Sequence, residues 1–281
     1  MCKISVIGLC GNSIFMQVDH FHEQGETLAA DSVYEEIGGK GINQAIAAAK
    51  MGAKVSFLAA IGDDTDGEEC KRVAKAYGVD GFFAVKKGKK TTFAFILIDT
   101  EGDNRVTGFR NTELTVEDVL SFEPEIATSD ILLLQHEVPV EVNDTALRLA
   151  KKHGVKVILN PAPARSISDA MADYVFAITP NEQESQAIDI SKFQNCITTL
   201  GKNGCSINGE IVIPALNTRA VDTTGAGDTF NGALAVFLAE GKELETACHL
   251  AVTASGLSVT KKYVLNAIPT REEVERMMLH E

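Results

Sequence analysis

Short apolar runs alternate with helical patterns along most of this chain. The apolar runs are residues 4–7, 55–60, 131–134, 155–159, 174–178 and 197–200. Apolar residues recur with a helical period at residues 43–51, 68–77 and 142–153, and after residue 222 at 229–239, 244–261 and 271–279. Alternation of this kind predicts βαβ units. We therefore expect an α/β fold with a mainly parallel central sheet, helices on both faces, and ligands at the carboxyl ends of the strands.

Two segments depart from this alternation. Residues 26–37 and 91–110 alternate apolar and polar positions as strands do, and the second contains the turn D-T-E-G-D-N. Because neither is followed promptly by a helix, we expect a small antiparallel β layer, with strands from roughly residues 12–37 and 91–110, outside the main sheet. This layer can act as a lid; an edge hairpin without a role is the alternative. No repeat or linker divides the chain, so residues 1–281 are expected to form a single domain.

Composition and charge argue against several classes of protein. The formal net charge of the 281 residues is −13, and no dense block of Lys and Arg is present, so binding to nucleic acid is not expected. The first apolar run is broken by Gly and Asn and is too short for a signal sequence or a membrane span. Six scattered cysteines lack the spacing of a zinc site, which indicates reduced thiols in a cytoplasmic protein.

The segment V-D-T-T-G-A-G-D-T-F-N-G-A-L, residues 221–234, places two glycines just before an apolar helix. Such glycines let the backbone turn tightly and direct free N–H groups at one point, where the helix dipole also favours an anion. Gly225, Ala226 and Gly227 would form this anion hole, and Asp228 would accept the proton of a hydroxyl that attacks phosphorus. The alternative is that Asp228 only caps its helix.

A second glycine-rich segment, I-G-G-K-G-I-N-Q-A at residues 37–45, also opens a helix. It is not a Walker A loop, because Gly41 stands where Ser or Thr would hold magnesium. Close approach of its backbone, with the donor and acceptor of Asn43, suits a polyol such as a sugar. A plain strand-to-helix turn is the alternative. The early segment G-L-C-G-N, residues 8–12, lacks G-x-G-x-x-G, so NAD binding is not expected.

The two glycine-rich segments, in this order and at this separation, resemble the two signatures of the ribokinase, or PfkB, family of carbohydrate kinases. The resemblance covers nearly the whole chain. It includes G-D-D-T-D-G-E at residues 62–68, Q-H-E-V-P at 135–139, N-P-A-P-A-R at 160–165, T-P-N-E-Q-E at 179–184 and T-L-G-K-N-G at 199–204. It implies a ribokinase-like three-layer sandwich with a β lid, a homodimer joined through that lid, and transfer of the γ-phosphoryl group of ATP to a primary hydroxyl of a small sugar.

The resemblance also implies roles for individual residues. Asp228 matches the catalytic base of the family, next to the anion hole. The sugar would be held by the matching residues of two motifs, which are Gly39, Lys40, Gly41, Asn43 and Glu137.

On the nucleotide side, the family motif N-x-x-E falls on Asn181, which would contact the phosphates, and on Glu184, which would order Mg²⁺ through water. ATP would be bordered by Thr199, Gly201, Gly204 and Gly227. The family also binds a monovalent cation, potassium, and the matching ligands are Asp222 and the carbonyl of Thr224. Here the chain departs from the family, with Tyr263 in place of a glycine and Ala267 in place of a serine.

A further departure lies after the first strand, where ribokinases carry N-x-D to hold sugar hydroxyls. The aligned residues are Gly11, Asn12 and Ser13. Each unpaired hydroxyl in a closed site costs roughly 1–3 kcal/mol, so we expect that the sugar is not plain ribose. If so, Ser13→Asp together with Gly11→Asn should improve turnover of ribose.

Three alternatives accompany the expected sugar kinase. The first is a kinase of the same family for a nucleoside, fructose, a deoxysugar or a sugar acid. The second is a catalytically silent sugar-binding or regulatory protein, which the intact Asp228, Asn181 and Glu184 disfavour. The third is an NAD-dependent enzyme, which the missing fingerprint disfavours.

Overall fold

The structure is a computed structural model that describes residues 1–167 and 169–279. Its strands are β1 Lys3–Ile7, β2 Gly11–Gln17, β3 Ser32–Gly38, β4 Lys54–Gly62, β5 Val79–Lys86, β6 Phe93–Ile98, β7 Asn104–Phe109, β8 Ile131–Gln135, β9 Lys156–Asn160, β10 Ala177–Ile178, β11 Ile197–Thr199, β12 Cys205–Ile207 and β13 Ile211–Ile213. Its helices are α1 Lys40–Lys50, α2 Thr65–Ala76, α3 Val116–Ser121, α4 Glu123–Ala127, α5 Val140–His153, α6 Asp169–Ala172, α7 Glu182–Ala187, α8 Ala226–Ala239, α9 Leu244–Ser258 and α10 Arg271–Met278.

A six-stranded sheet forms the centre, in the order β10-β9-β8-β1-β4-β5, and every neighbouring pair is parallel. Residues of α1, α8 and α9 share one apolar core with one face of the sheet, and residues of α3, α4 and α5 share a second core with the other face. The predicted three-layer α/β fold is therefore confirmed.

Two strand predictions need correction. The run at residues 197–200 forms β11, which belongs to a separate antiparallel sheet with β12 and β13 instead of the central sheet. Strand β5 was not predicted, because its residues 79–86 combine exposed and half-buried positions at the sheet edge instead of forming a continuous apolar run.

The strands predicted to form the lid make a four-stranded sheet in the order β3-β2-β6-β7, which we call the lid. Its outer pairs are antiparallel, but its central pair is parallel, because the hairpins β2-β3 and β6-β7 meet through β2 and β6; the expectation of a purely antiparallel layer is therefore wrong. Strand β3 leads directly into α1, so the lid is covalently continuous with the glycine-rich turn at residues 38–41.

Helices α1 and α8 pack unusually closely. A Cβ atom built on Gly232 would lie 2.5 Å from the Cβ of Ala47 and 2.7 Å from the carbonyl oxygen of Gln44. Only glycine permits this approach, and the hydrogen bonds from Asn43 and Gln44 to Asp228 join the first turns of the two helices. The two glycine-rich segments of the sequence therefore meet in space.

Candidate active site

Asp228 lies in the first turn of α8 and is 7% exposed. Its Oδ2 accepts a hydrogen bond from Asn43 Nδ2 at 2.9 Å, and its Oδ1 accepts one from Gln44 Nε2 at 3.0 Å. The N-cap of α8 is Gly225, with φ 74°, and no side chain caps the helix. The hypothesis that Asp228 only caps its helix is therefore wrong, since α1 holds this carboxylate instead.

The start of α8 offers free backbone donors. The N–H of Ala226 donates to the carbonyl of Thr223 at 3.3 Å, whereas the N–H groups of Gly227 and Asp228 have no acceptor among the described residues. Open space surrounds the position of a Cβ on Gly227. Free N–H groups at the positive end of a fourteen-residue helix suit an anion.

A chain of buried side chains fixes Asp228 from behind. Gln44 is fully buried; its Nε2 also donates to Asn160 Oδ1 at 3.1 Å, and its Oε1 accepts from Gln135 Nε2 at 2.7 Å. These bonds leave the amide of Gln44 one orientation, with its donor toward the aspartate.

The same network continues to the anion hole. Asn160 Nδ2 donates to the carbonyl of Thr179 at 3.1 Å, Thr179 Oγ1 to Asn231 Oδ1 at 2.6 Å, and Asn231 Nδ2 to the carbonyl of Gly227 at 2.8 Å. The sequence analysis gave none of these side chains a role in the network. The available signal is the presence of amides at apolar positions, such as Asn231 within T-F-N-G-A-L.

The glycines at residues 39 and 41 pack against the chain itself. Gly39 has φ 107°, and a Cβ there would lie 2.8 Å from the carbonyl oxygen of Leu9. A Cβ on Gly41 would lie 2.6 Å from the carbonyl carbon of Gly8. These glycines therefore let α1 start against the end of β1, a role the sequence analysis did not foresee.

Lys40 and Glu137 add charge to the same region. The backbone N–H of Lys40 donates to Glu137 Oε2 at 2.7 Å. Burial raises the pKa of the Glu137 carboxyl, although Lys40 opposes this effect. Burial lowers the pKa of Lys40, but the carboxylates of Asp228, Glu137 and Glu184 outweigh it and the net pKa is raised. The ammonium group of Lys40 is thus placed among acidic groups of both the sugar and the nucleotide side.

The surroundings of residues 11–13 do not suit the side chains of the family's N-x-D pattern. A Cβ on Gly11 would lie 2.2 Å from the carbonyl oxygen of Thr92, so no larger side chain fits without a backbone shift. Ser13 pairs directly with Glu36 of β3, and an aspartate at position 13 would face this buried carboxylate. The proposed replacements of Gly11 and Ser13 are therefore unsuitable as a gain-of-function test.

Asn181 and Glu184 form a reciprocal pair at the start of α7. Glu184 Oε2 accepts from the N–H of Asn181 at 2.9 Å, and Asn181 Oδ1 accepts from the N–H of Glu184 at 2.7 Å. This capping box fixes both side chains. Both also line a cavity of about 120 Å³, together with Lys40, Gly225, Gly227 and Asp228.

A larger cavity of about 740 Å³ adjoins the smaller one. It is lined by all five residues that the resemblance assigns to the nucleotide, Asn181, Thr199, Gly201, Gly204 and Gly227. Asn181, Thr199 and Gly227 line both cavities. The anion hole therefore lies at the junction between them.

Asp222 holds the loop that follows α9. Its Oδ1 accepts from the N–H of Thr224 and its Oδ2 from the N–H of Tyr263, both at 2.9 Å. Tyr263 has φ 68°, so it keeps the left-handed backbone that a glycine adopts easily. Ala267 is buried, and its side chain has no oxygen for a cation.

Two kinds of feature, a membrane-spanning helix and a metal-binding cluster, are absent from residues 1–167 and 169–279, which the structure describes. No helix there has the length and apolar character needed to cross a membrane. No group of three or more His, Cys, Asp or Glu side chains there is arranged to hold a metal ion.

The parallel sheet, and a carboxylate beside free N–H groups where two cavities adjoin, agree with the ribokinase-like fold and site that the resemblance implies. The model of the pfkB family of carbohydrate kinases matches residues 1–271, and the chain belongs to that family. A ribokinase of Bacillus subtilis is 37% identical over 295 residues, which cover 99% of this chain and 100% of the relative.

Solved structures of ribokinases are also similar to this chain. The ribokinase of Thermotoga maritima superposes with a TM-score of 0.89 at 34% identity, covering 99% of this chain and 100% of that one. The ribokinase of Arabidopsis thaliana, solved with ribose and ATP, superposes with a TM-score of 0.85 at 27% identity, covering 99% of both chains.

Proposed function

We propose that this protein transfers the γ-phosphoryl group of ATP to a primary hydroxyl of a small sugar, with Asp228 as general base. The observation that carries the proposal is the position of Asp228, which lines the smaller cavity next to Gly227, where the two cavities adjoin. A sugar hydroxyl next to Asp228 would face a phosphate at the start of α8. The similar ribokinase of Arabidopsis thaliana, solved with ribose and ATP, supports a small sugar and ATP as the substrates.

In the proposed reaction the hydroxyl oxygen forms a bond to the γ-phosphorus while the bond from this phosphorus to the β–γ bridging oxygen breaks. The hydroxyl proton passes to Asp228 and ADP leaves. The donors of Asn43 and Gln44 hold the carboxylate in place. The free N–H groups of Gly227 and Asp228 would stabilise charge on the transferring group, and Lys40 would neutralise phosphate oxygens.

Glu184 fits a role in holding Mg²⁺. Its Oε2 is used by the capping box, and its carboxylate lines the cavity that contains Asp228. A single carboxylate and several waters suit Mg²⁺. When bound, the ion would neutralise phosphate charge. Asn181, fixed by the same capping box, would contact the phosphates.

The residues near Asp222 do not fit the family's potassium site. Both oxygens of Asp222 accept backbone N–H groups, and Ala267 lacks the hydroxyl of the family's serine. We therefore derive no step through potassium, and Asp222 and Thr224 act in the proposal only to hold the loop.

The lid supports a proposed homodimer. In the register of the lid strands, Val33, Phe95 and Phe109 share one face and are 58%, 40% and 45% exposed. Covering these three apolar side chains removes them from water, and a second copy of the lid supplies the same surface. Light scattering on a sizing column should give a dimer for the parent and a monomer for Phe95→Lys; a monomeric parent would contradict this part of the proposal.

The identity of the sugar rests on residues 11–13, which lack the N-x-D pattern, so a sugar other than plain ribose is proposed. The decisive experiment is Mg²⁺-dependent ADP release from ATP with ribose, deoxyribose, fructose, sugar acids and nucleosides. Turnover of one substrate well above the ATPase background supports the kinase. ATP binding without turnover across the panel would instead favour the regulatory alternative. The six cysteines are free and buried, which fits the proposed cytoplasmic location.

A further inference from the structure

Two side chains of lid strand β3 contact the loop that follows α9. The ring of Tyr34 stacks on the ring of Tyr263, with centroids 3.6 Å apart and an interplanar angle of 15°. Two residues further along the same face, Glu36 accepts hydrogen bonds from the N–H groups of Val264 at 2.9 Å and Leu265 at 3.3 Å. The lid is therefore joined to the loop by both an aromatic stack and a carboxylate.

Burying the carboxylate of Glu36 at this position is unfavourable in free energy. It is 9% exposed, and no Lys, Arg or His forms an ion pair with it among the described residues. Burial, together with the negative charge of Asp222, raises the pKa of its carboxyl. Burying a carboxylate without a cation is unfavourable unless backbone donors satisfy it, and the two N–H groups do so. An apolar residue would fill this space at lower cost if packing alone were needed.

The loop in turn contacts the anion hole. Val264 occupies the space beside Gly225, where an added Cβ would lie 2.4 Å from Val264 Cγ1. The N–H of Tyr263 donates to Asp222, which also receives the N–H of Thr224 just before the hole. Because Tyr263 has φ 68°, an unfavourable value for an aromatic residue, this backbone needs external contacts to persist.

We propose that Glu36 and Tyr34 are positioning residues that hold Tyr263 and Val264 in place and thereby fix the anion hole at Gly225–Gly227. The inference rests on the proposed function, since it assumes that this turn binds the transferring phosphoryl group. Strand β3 runs on into the turn at residues 38–41, so the same strand connects the expected sugar site with the anion hole.

Glu36→Gln is the test, because it keeps the volume but leaves one oxygen to accept from two N–H groups. We expect kcat to fall at least about tenfold while KM for ATP and sugar changes less than about threefold, as for an interaction that matters in the transition state. Glu23→Gln is the matched control, since Glu23 is an exposed residue of the loop between β2 and β3. A kcat of Glu36→Gln equal to that of Glu23→Gln would overturn the inference.

Tyr34 provides a second test, because its replacement leaves no buried charged group without a partner. Tyr34→Phe keeps the stack and should retain kcat, whereas Tyr34→Ala should lose it, with the folded fraction checked by thermal unfolding. A purely structural role predicts lower stability but unchanged kcat per folded molecule, and that result contradicts the inference. An inactive parent enzyme would instead overturn the proposed function, so the two failures are distinguishable.

Discussion

The side-chain amide of Gln44 donates to Asp228 at 3.0 Å, and its carbonyl oxygen accepts from Gln135 at 2.7 Å. The orientation of the proposed base is thus set by a residue one position beyond Asn43, the expected sugar ligand. Helix α1 therefore presents two neighbouring amides, those of Asn43 and Gln44, that both donate to the proposed base.

Gln44→Leu should lower kcat by roughly ten- to a hundredfold, because a base displaced by an ångström loses much of its effect. Binding of ATP should be unchanged, since Gln44 does not line the nucleotide cavity. Steady-state kinetics with the best sugar of the panel measures both. Gln24→Leu, at an exposed position of the loop between β2 and β3, is the control. Equal kcat values for the two variants would contradict a positioning role.

Gly11→Asn should destabilise the protein by roughly 1–3 kcal/mol, because the added atoms meet the carbonyl of Thr92 and the strands must shift. Chemical denaturation measures the change. Gly25→Asn is a suitable control, since Gly25 has φ 84° with open space around it, and Asn tolerates this backbone. Unchanged stability of Gly11→Asn would show that β2 accepts side chains there and would reopen the N-x-D comparison.

Potassium should not activate the enzyme. Because Tyr263 and Ala267 replace the glycine and the serine of the family's cation site, turnover in potassium and in a bulky organic cation should agree within about twofold. Ionic strength is held constant in the comparison. Activation of about tenfold or more by potassium would show that the loop binds the ion despite Ala267.

His136 should make the protein less stable in mild acid. Burial, with the charge of Arg165, lowers its pKa from 6.5 to about 4, and its Nδ1 donates to the carbonyl of Pro163 at 3.3 Å. Because the unfolded chain binds the proton first, the free energy of unfolding falls as pH drops from 6.5 toward 4. The loss from this group is roughly 2 kcal/mol between pH 7 and 5.

His136→Asn removes this proton linkage and should flatten the dependence of the unfolding free energy on pH. The exposed His22 provides the control variant, His22→Asn. The prediction fails if the pH dependence of His136→Asn equals that of the parent.

The sequence predicted the layers of the fold and identified both glycine-rich segments as candidate sites, because buried parallel strands and glycines before helices leave clear local patterns. It did not predict the bonds from Gln44 to Asp228 and Asn160, or from Glu36 to the loop at residues 263–265. These contacts join residues more than a hundred positions apart, and only the packing of α1 on α8 and of β3 on the loop brings them together.

The sequence also did not predict that Gly39 and Gly41 pack against residues 8–9. A glycine that approaches a ligand and one that approaches a neighbouring strand look the same in sequence, and only the position of residues 8–9 separates them.

The most direct test of the account is single-turnover phosphoryl transfer by Asp228→Asn, with the sugar affinity measured by calorimetry. If Asp228 is the base, transfer should slow by roughly 10²–10⁴-fold while the sugar still binds. Asp31→Asn, at an exposed lid position, should behave as the parent. Transfer by Asp228→Asn within about tenfold of the parent would contradict the assignment of Asp228 as the base.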